Sequence, residues 1–337
     1  MIKLVYRNLV EGMGFKLWKE SSMGILASLI YNPAAGSSRL QALFPEILRV
    51  FQSCGWEINL CQTQQRGDVA RLAGEAAQQG RQVVLVAGGD GSLNEAVNVL
   101  AHSSCALGVL PTGTGNVWAR QIGMPIPNVL NPYRLVEAAH TLVDSQTRTI
   151  DLGRTGERYF LMWSGVGLDG EVSASLEPKP IYIRRLGLAG YAAQAVAVAA
   201  QYRGSRMRIE ADQQLIRTRG ILAVASNGPL YAAILKIAPQ ARLDDGYLDL
   251  TIFQGDNLYA TIVHALNLLA GRVEHNPRVI SVRARRIRVV THKPCHVQVD
   301  GEPFMRTPVL IEIVPRALQV LIPHQTPANL FLEPDNR

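Results

Sequence analysis

The chain has 337 residues, of which 47% are hydrophobic and 18% charged, a composition typical of a globular protein long enough for two domains. No run of about 18 uncharged apolar residues occurs, so the sequence predicts no membrane-spanning helix. The four cysteines show no paired spacing, which favours a reducing compartment over a disulfide scaffold, and we expect a cytoplasmic protein.

The net charge is +7, and 28 of the 34 basic residues are arginines. Arginine suits bidentate contacts to phosphate, so the charge allows a nucleic acid, an anionic membrane or a phosphorylated ligand as partner. The densest basic run, Arg278–Val290, predicts one strand with an arginine-rich face, which is at least as typical of a solvated surface as of a binding patch. No aromatic stacking pattern accompanies it, and we expect no nucleic-acid partner.

Residues 1–23 form an N-terminal extension, and residues 24–150 alternate predicted strands with predicted helices, one of them over Arg39–Cys54. This alternation predicts a parallel sheet with helices on both faces. Ligands bind such sheets at the carboxyl ends of the strands. Three loops meet that condition, namely Asn32–Gly36, Gly88–Asn94 and Pro111–Asn116.

The second of these loops, in "VVLVAGGDGSLNEAVNVL", has a strand before it and a helix after it. Ser92 and Glu95 match a capping box, which predicts that the helix begins at about Ser92. Free N–H groups at a helix start attract anions, yet Asp90 lies at the centre of the loop. Either a metal ion separates Asp90 from phosphate, or Asp90 orients a hydroxyl, or it only shapes the turn.

Beyond residue 150 short predicted strands dominate, with turns at Gly228, Asp245-Gly246 and Asp300-Gly301, which indicates an antiparallel β domain over residues 151–315. An Ala-rich helix is predicted over Leu186–Tyr202, and we favour a position in the domain core for it over an exposed lipid-entry surface. One interpretation of the last segment, residues 316–337, is that it returns to the first domain.

Six motifs occur in order, within a match that covers roughly residues 24–323: "NPAAG", "GGDGSLNE", "PTGTGN", "GVGLDG", "LDDGYLDL" and "VDGE". The series resembles the diacylglycerol kinase and sphingosine kinase family, particularly its bacterial lipid kinases. The resemblance implies an α/β N-terminal domain of the NAD kinase and diacylglycerol kinase type, followed by a mainly antiparallel β domain. It also implies transfer of the γ-phosphoryl group of ATP, with Mg²⁺, to the hydroxyl of diacylglycerol or a related lipid alcohol.

By the same resemblance, Asp300 or Glu302 would be the general base, and Asp90 would hold or steer Mg²⁺. The carboxylate of Asp245 and the carbonyls of Arg242 and Tyr247 would form a metal site, and Asp151 would be a further acid of the metal network. The nucleotide would contact residues in and next to the three loops, together with Thr63 at the end of the second predicted strand: Asn32, Pro33, Ala34, Ala35, Gly36, Thr63, Gly88, Gly89, Asp90, Gly91, Ser92, Leu93, Asn94, Glu95, Gly113 and Thr114.

Val117 stands where the family commonly has an acid, and Ser92 where it usually has Thr. An NAD kinase, whose nucleotide loop is similar, and a non-catalytic lipid- or nucleotide-binding relative are the competing interpretations. The implied partner is a lipid at a membrane surface, with peripheral membrane contact, and exposed strand edges allow a homodimer. Diacylglycerol, a sphingoid base, ceramide, phosphatidylglycerol and an undecaprenol-like alcohol all present a suitable hydroxyl.

Overall fold

The computed structural model describes residues 24–33, 38–177, 188–232 and 234–332. The extension predicted at residues 1–23 lies outside this range, as do Ala34, Ala35 and Gly36 of the first predicted loop.

Four parallel strands form the sheet of the N-terminal half, in the order β4-β3-β1-β2. Every residue of β3 and β4 is buried, as expected for strands covered on both faces. The strands are β1 (Ile25–Tyr31), β2 (Trp56–Gln62), β3 (Val83–Gly88) and β4 (Ala106–Pro111).

The helices of this half are α1 (Ser38–Gln41), α2 (Phe44–Ser53), α3 (Asp68–Gln78), α4 (Asp90–Leu100), α5 (Val117–Gln121) and α6 (Arg134–Val143). The single helix predicted over Arg39–Cys54 is wrong. Pro45 lies in the first turn of α2, where its missing N–H is tolerated, and its ring would clash with a helix continuing from α1. The start predicted for α4 at Ser92 is also two residues late, because the extended residue Gly89 already serves as the N-cap.

The C-terminal half is built from antiparallel strands, and three α-helices accompany them within the described residues. The strands are β5 (Gln146–Thr155), β6 (Arg158–Phe160), β7 (Trp163–Gly167), β8 (Ser205–Ala211), β9 (Gln214–Ser226), β10 (Leu230–Tyr231), β11 (Leu235–Lys236), β12 (Leu248–Gln254), β13 (Val279–Ala284), β14 (Arg286–Thr291), β15 (His296–Val299), β16 (Glu302–Arg306) and β17 (Val309–Ile322). The helices are α7 (Leu168–Ser175), α8 (Leu188–Gln201) and α9 (Leu258–Leu269). The predicted fold class, an α/β domain followed by an antiparallel β domain, is confirmed.

The basic run Arg278–Val290 is not one strand. It divides at Arg285 into β13 and β14, which pair with different neighbours. The carboxylate of Asp212 accepts hydrogen bonds from the N–H groups of Arg285 and Arg286 at 2.8–3.1 Å, which holds the chain at the point of division. The exposed arginine face is present, since Arg286 and Arg288 both lie on the surface.

The last strand, β17, joins the two halves. It pairs antiparallel with β14 and β5, and Val320 pairs with Leu107 of the parallel strand β4. The pairing with β5 is interrupted between Val314 and Leu318. Ile311 packs in the core of the C-terminal half, whereas Leu318 packs in the large core that includes the parallel sheet. One strand therefore contributes to both cores.

We predict that Leu318→Ala lowers the free energy of unfolding by about 2–5 kcal/mol, because a buried Leu leaves a cavity when truncated. Leu318 is 1% exposed. Urea unfolding followed by circular dichroism measures the loss. Leu215→Ala is the control, since Leu215 is 44% exposed and should cost less than about 0.5 kcal/mol. Because β17 belongs to both cores, separate transitions for the two halves would contradict this account.

Candidate active site

The four parallel strands end at one edge of the sheet, where the loops that follow them lie side by side. The N–H of Thr63, after β2, donates to the carbonyl of Tyr31 at 2.9 Å, and the N–H of Thr112 donates to the carbonyl of Gly88 at 3.1 Å. Thr63 is buried, while Asn32 and Thr114 are exposed. The structure thus brings the described part of the predicted nucleotide contacts to one end of the sheet.

Two of these loops touch through glycines. A Cβ on Gly113 would lie 2.5 Å from the Cα of Gly89, closer than any real side chain could approach. Asn116, in the left-handed region at φ 50°, fixes the second loop. Its Oδ1 accepts from the N–H of Gly113 at 3.0 Å, and its Nδ2 donates to the carbonyl of Gly113 at 2.7 Å. The loops after β3 and β4 therefore form one unit.

Asp90, the first residue of α4, directs its carboxylate to the start of α5. Its Oδ1 accepts a hydrogen bond from the N–H of Trp118 at 3.3 Å, and a Cβ on Gly115 would lie 2.9 Å from its Oδ2. Burial raises the pKa of Asp90, while N–H groups at the start of α5 act in the opposite direction. Asp90 thus fastens the two loops together, and its predicted role toward Mg²⁺ stays a prediction. Val117, where an acid would be usual, is buried in the core.

The first turn of α4 has features that suit an anion. Its N-cap, Gly89, has no side chain with which to cap the first N–H groups of the helix. Ser92 packs against Gly88, where a Cβ would lie 2.7 Å from the Cβ of Ser92. Leu93 faces the core, so its contribution is limited to its backbone. The Oε2 atom of Glu95 is buried and has no hydrogen-bond partner among the described residues.

Asp300 lies in a two-residue turn between β15 and β16, at φ 47°, followed by Gly301 at φ 85°, the backbone of a hairpin turn. Its buried carboxylate accepts four hydrogen bonds: from Nδ2 of Asn94 at 2.9 Å, and from the N–H groups of Leu161, Met162 and Trp163 at 2.8–3.0 Å. Burial raises the pKa of Asp300, and these donors oppose the rise. The carboxylate is fully engaged with the protein.

Glu302 has a different environment. Its carboxylate is half-buried and forms an ion pair with the guanidinium of Arg158. A Cβ on Gly91 would lie 3.2 Å from its Oε1, so the carboxylate lies against the first turn of α4. Of the two acids predicted as the general base, Glu302 is therefore the one whose carboxylate lies against a glycine of this loop.

Arg158, in β6, belongs to this cluster and was not predicted. Its Nε and Nη2 donate to Oδ1 of Asn94 at 3.1 and 2.7 Å, and its guanidinium also pairs with Glu302. The guanidinium carbon lies 5.6 Å from the centre of the Phe304 ring. A single arginine in "GERYF" matches no motif, so no sequence signal marks it. The structure thus adds a positive charge beside Asn94 and Glu302.

The residues predicted to bind a metal come together at the turn before β12, but protein donors already occupy their carboxylates. Asp245 accepts from the N–H of Tyr247 at 3.0 Å and forms an ion pair with Arg283. Asp151 accepts from the N–H groups of Gly246 and Arg316, each at 2.7 Å.

Within the described ranges, no group of three or more His, Cys, Asp or Glu side chains is arranged to hold a metal. Arg242 is half-buried, and two guanidiniums, those of Arg283 and Arg285, lie 4.8 and 4.9 Å from the Tyr247 ring centre. The positive charge at this turn thus comes from arginine, and the side chains present do not fit a closed metal cage. The ligand roles of Arg242, Asp245, Tyr247 and Asp151 stay a prediction.

Asp249, next to this turn, provides a test of its electrostatics. Burial raises its pKa to about 6, with Arg283 acting against the rise and Asp245 adding to it. Its Oδ2 is buried without a hydrogen-bond partner in the described part of the chain. Between about pH 4 and pH 6 the unfolded chain loses this proton while the folded chain keeps it, so stability falls as the pH rises through this window.

We therefore predict that Asp249→Asn raises the free energy of unfolding on the order of 1–2 kcal/mol near pH 7, and changes it little near pH 4. Urea unfolding at both pH values measures the difference. Asp256→Asn, which alters a surface ion pair with Arg219, is the control and should shift stability by less than about 1 kcal/mol. A stabilisation that is equal at both pH values would refute the assignment to this carboxyl group.

Two family models match the chain. The model described as the diacylglycerol kinase catalytic domain matches residues 27–155. The model described as the YegS C-terminal NAD kinase beta sandwich-like domain matches residues 164–322. The interval between the two matches, residues 156–163, begins directly after β5 and contains β6 and the first residue of β7.

Relatives and solved structures agree with these models. The diacylglycerol kinase of Staphylococcus carnosus (strain TM300) is 31% identical over 280 residues, which cover 82% of this chain and 88% of that protein. The diacylglycerol kinase of Bacillus subtilis (strain 168) is 30% identical over 278 residues, 82% of this chain and 89% of the relative. A crystal structure of a diacylglycerol kinase from Bacillus anthracis str. Sterne shares the fold, with a TM-score of 0.67 at 20% identity over 91% of this chain and 100% of that chain. The chain belongs to the diacylglycerol kinase family of lipid kinases.

Proposed function

We propose that the protein transfers the γ-phosphoryl group of ATP to the hydroxyl of diacylglycerol or a related lipid alcohol, at a membrane surface. The observation that supports this most directly is the position of Glu302 against Gly91. It puts a carboxylate from the C-terminal half beside the helix start at which phosphate would bind. Phosphoryl transfer needs mainly positioning and charge neutralisation, with one group to accept the proton of the attacking hydroxyl.

In this proposal the contact between Gly89 and Gly113 and the first turn of α4 hold the phosphates. Glu302 accepts the proton of the lipid hydroxyl. Asp300 acts as a positioning residue, because its two carboxylate oxygens already accept four hydrogen bonds from the protein and are not directed at a substrate. Mg²⁺ would supply charge neutralisation on the phosphates, and two acids of α4, Asp90 and Glu95, could hold it. The Oε2 atom of Glu95 is buried without a hydrogen-bond partner among the described residues.

The first experiment is transfer of radiolabelled γ-phosphate from ATP to a lipid extract in detergent micelles with Mg²⁺. We expect Glu302→Gln to lower kcat by about 10²–10⁴-fold, the usual contribution of a general base, with an unchanged Tm. Asp300→Asn should lower Tm and kcat together, because an amide NH₂ would face backbone N–H donors. Mass spectrometry of the labelled product identifies the lipid.

Glu57→Gln is the matched control, since Glu57 is 72% exposed and lies within β2 rather than in one of the loops. Label in NAD rather than in lipid would favour the NAD kinase interpretation. ATP binding without any labelled product would favour a non-catalytic relative. A Glu302→Gln variant as fast as wild type would exclude Glu302 as the base.

Arg158 provides a second test, because it bridges Asn94 and Glu302. We predict that Arg158→Ala lowers kcat by about 10²-fold through misplacement of Glu302, with little change in KM for the lipid. Millimolar guanidinium ion should restore part of the lost kcat, which a purely structural defect would not allow. The control is Arg71→Ala, whose side chain is 53% exposed. A loss that appears only in KM, or no rescue, would contradict the positioning role.

A further inference from the structure

Helix α9 (Leu258–Leu269) presents an apolar surface to solvent. Its sequence, LYATIVHALNLL, contains no Asp, Glu, Lys or Arg, and its only basic side chain is that of His264. Tyr259, Ile262, Leu266 and Leu269 are 72%, 48%, 60% and 68% exposed. Their spacing of three and four residues places them in one stripe along the helix. Large apolar side chains that are grouped and exposed mark interaction surfaces in water-facing proteins.

The buried side of α9 carries the polar group. His264 is 6% exposed, its Nε2 is hydrogen-bonded to the carbonyl of Gln254 at 2.7 Å, and its Nδ1 to Nδ2 of Asn276 at 3.2 Å. Burial lowers the pKa of His264, so the imidazole is neutral at pH 7. This helix therefore hides a polar side chain and exposes leucines, the reverse of the arrangement expected for a helix that faces water.

A second uncharged helix neighbours α9. Helix α8 (Leu188–Gln201) packs against α9 and has no Asp, Glu, Lys or Arg. Val196 on α8 is 68% exposed, so this helix lies at the surface, although the sequence favours domain core. We name the five side chains Val196, Tyr259, Ile262, Leu266 and Leu269 the apolar platform. No helix of the described residues is long and apolar enough to cross a membrane.

Arginines border both ends of α9. A Cβ on Gly204 would lie 2.0 Å from the carbonyl oxygen of Gly255, which places Arg203 beside the start of the helix. Arg219 pairs with Asp256 at 3.0 Å. Five exposed arginines stand against two acids, a formal excess of three positive charges around the uncharged platform: Arg203, Arg206, Arg219, Arg272 and Arg278 against Asp256 and Glu274.

Helix α7 connects the candidate active site to the platform. At its start, Asp169 accepts from Nε2 of Gln298 at 2.6 Å, and Oε1 of Gln298 accepts from the N–H of Gly301 at 2.6 Å. At its end, Oγ of Ser175 accepts from Nε2 of Gln194 on α8 at 3.0 Å. An eight-residue helix is about 12 Å long, so helix α8, which carries Val196 of the platform, and the turn directly before Glu302 are joined through a single short element.

We propose that the apolar platform docks onto the surface of an anionic lipid bilayer, with its apolar side chains in the headgroup region and the bordering arginines on lipid phosphates. A bilayer supplies an apolar layer and negative charge together, which matches both parts of this surface. A second copy of the chain fits less well, because a two-fold contact would place the arginine border against itself. The proposal extends the lipid kinase function proposed above, but docking requires neither ATP nor turnover.

The test is sedimentation of the full chain, without ATP, with vesicles of phosphatidylcholine alone or mixed with phosphatidylglycerol. We expect the wild type to bind the mixed vesicles more strongly, and less so as salt is raised. Ile262→Gln combined with Leu266→Gln should lower the partition by about tenfold or more, since two exposed apolar side chains lose their burial in lipid. The control is Val129→Gln combined with Leu130→Gln, at positions 83% and 95% exposed in the other half, with the partition unchanged.

Equal vesicle binding by wild type and platform variant would overturn the proposal, as would a wild type that binds neither vesicle. Light scattering tests the other occupant: a wild-type dimer that the platform substitutions convert to a monomer would assign the surface to a second copy. Kinase assays on a short-chain diacylglycerol in detergent separate the two proposals. Turnover without vesicle binding contradicts only the docking surface, whereas vesicle binding without turnover contradicts only the kinase reaction.

Discussion

The arrangement of the candidate site depends on the buried carboxylate of Asp300. Its four donors come from both halves of the chain, Asn94 from α4 and three consecutive N–H groups from residues 161–163. A buried carboxylate that loses its partners costs several kcal/mol, so these donors cannot separate without a large penalty. The contact fixes α4 against the turn between β15 and β16. Glu302, two residues further on, is thereby held at the start of α4.

Other acids in the motifs serve the backbone in the same way. Asp90 accepts from the start of α5, and Asp151 accepts from Gly246 and Arg316. Backbone donors have no alternative position unless the chain itself moves, so the carboxylate oxygens that they contact keep these partners. Glu302 differs, because its partner is the side chain of Arg158, which a phosphate group could attract in its place. In the proposed reaction, the acids that backbone N–H groups hold therefore position the loops. The acid that a side chain holds, Glu302, accepts the proton.

Much of the fold could be predicted because its signals are local. The buried apolar runs of β1, β3 and β4, each followed by a glycine loop, indicate a parallel sheet with the loops at one edge. The errors have non-local causes. The run Arg278–Val290 divides at Arg285 because the N–H of Arg285 donates a hydrogen bond to Asp212, which lies more than seventy residues away in the sequence. Arg158 reaches Asn94 only because β6 lies beside α4 in the folded chain, and no sequence pattern records that proximity.

The same limit applies to helices α8 and α9. Their sequences are apolar enough for core helices, and hydrophobicity alone cannot show which side faces solvent. The structure shows that α9 exposes Leu266 and Leu269 while it buries His264, so the exposed apolar area remains in contact with water at a cost of about 25 cal/mol per Å². The lipid kinase function proposed above, whose acceptor would reside in a bilayer, has a use for such a surface. Docking would recover this free energy and would bring the lipid hydroxyl to the side of the molecule from which α7 leads to Glu302.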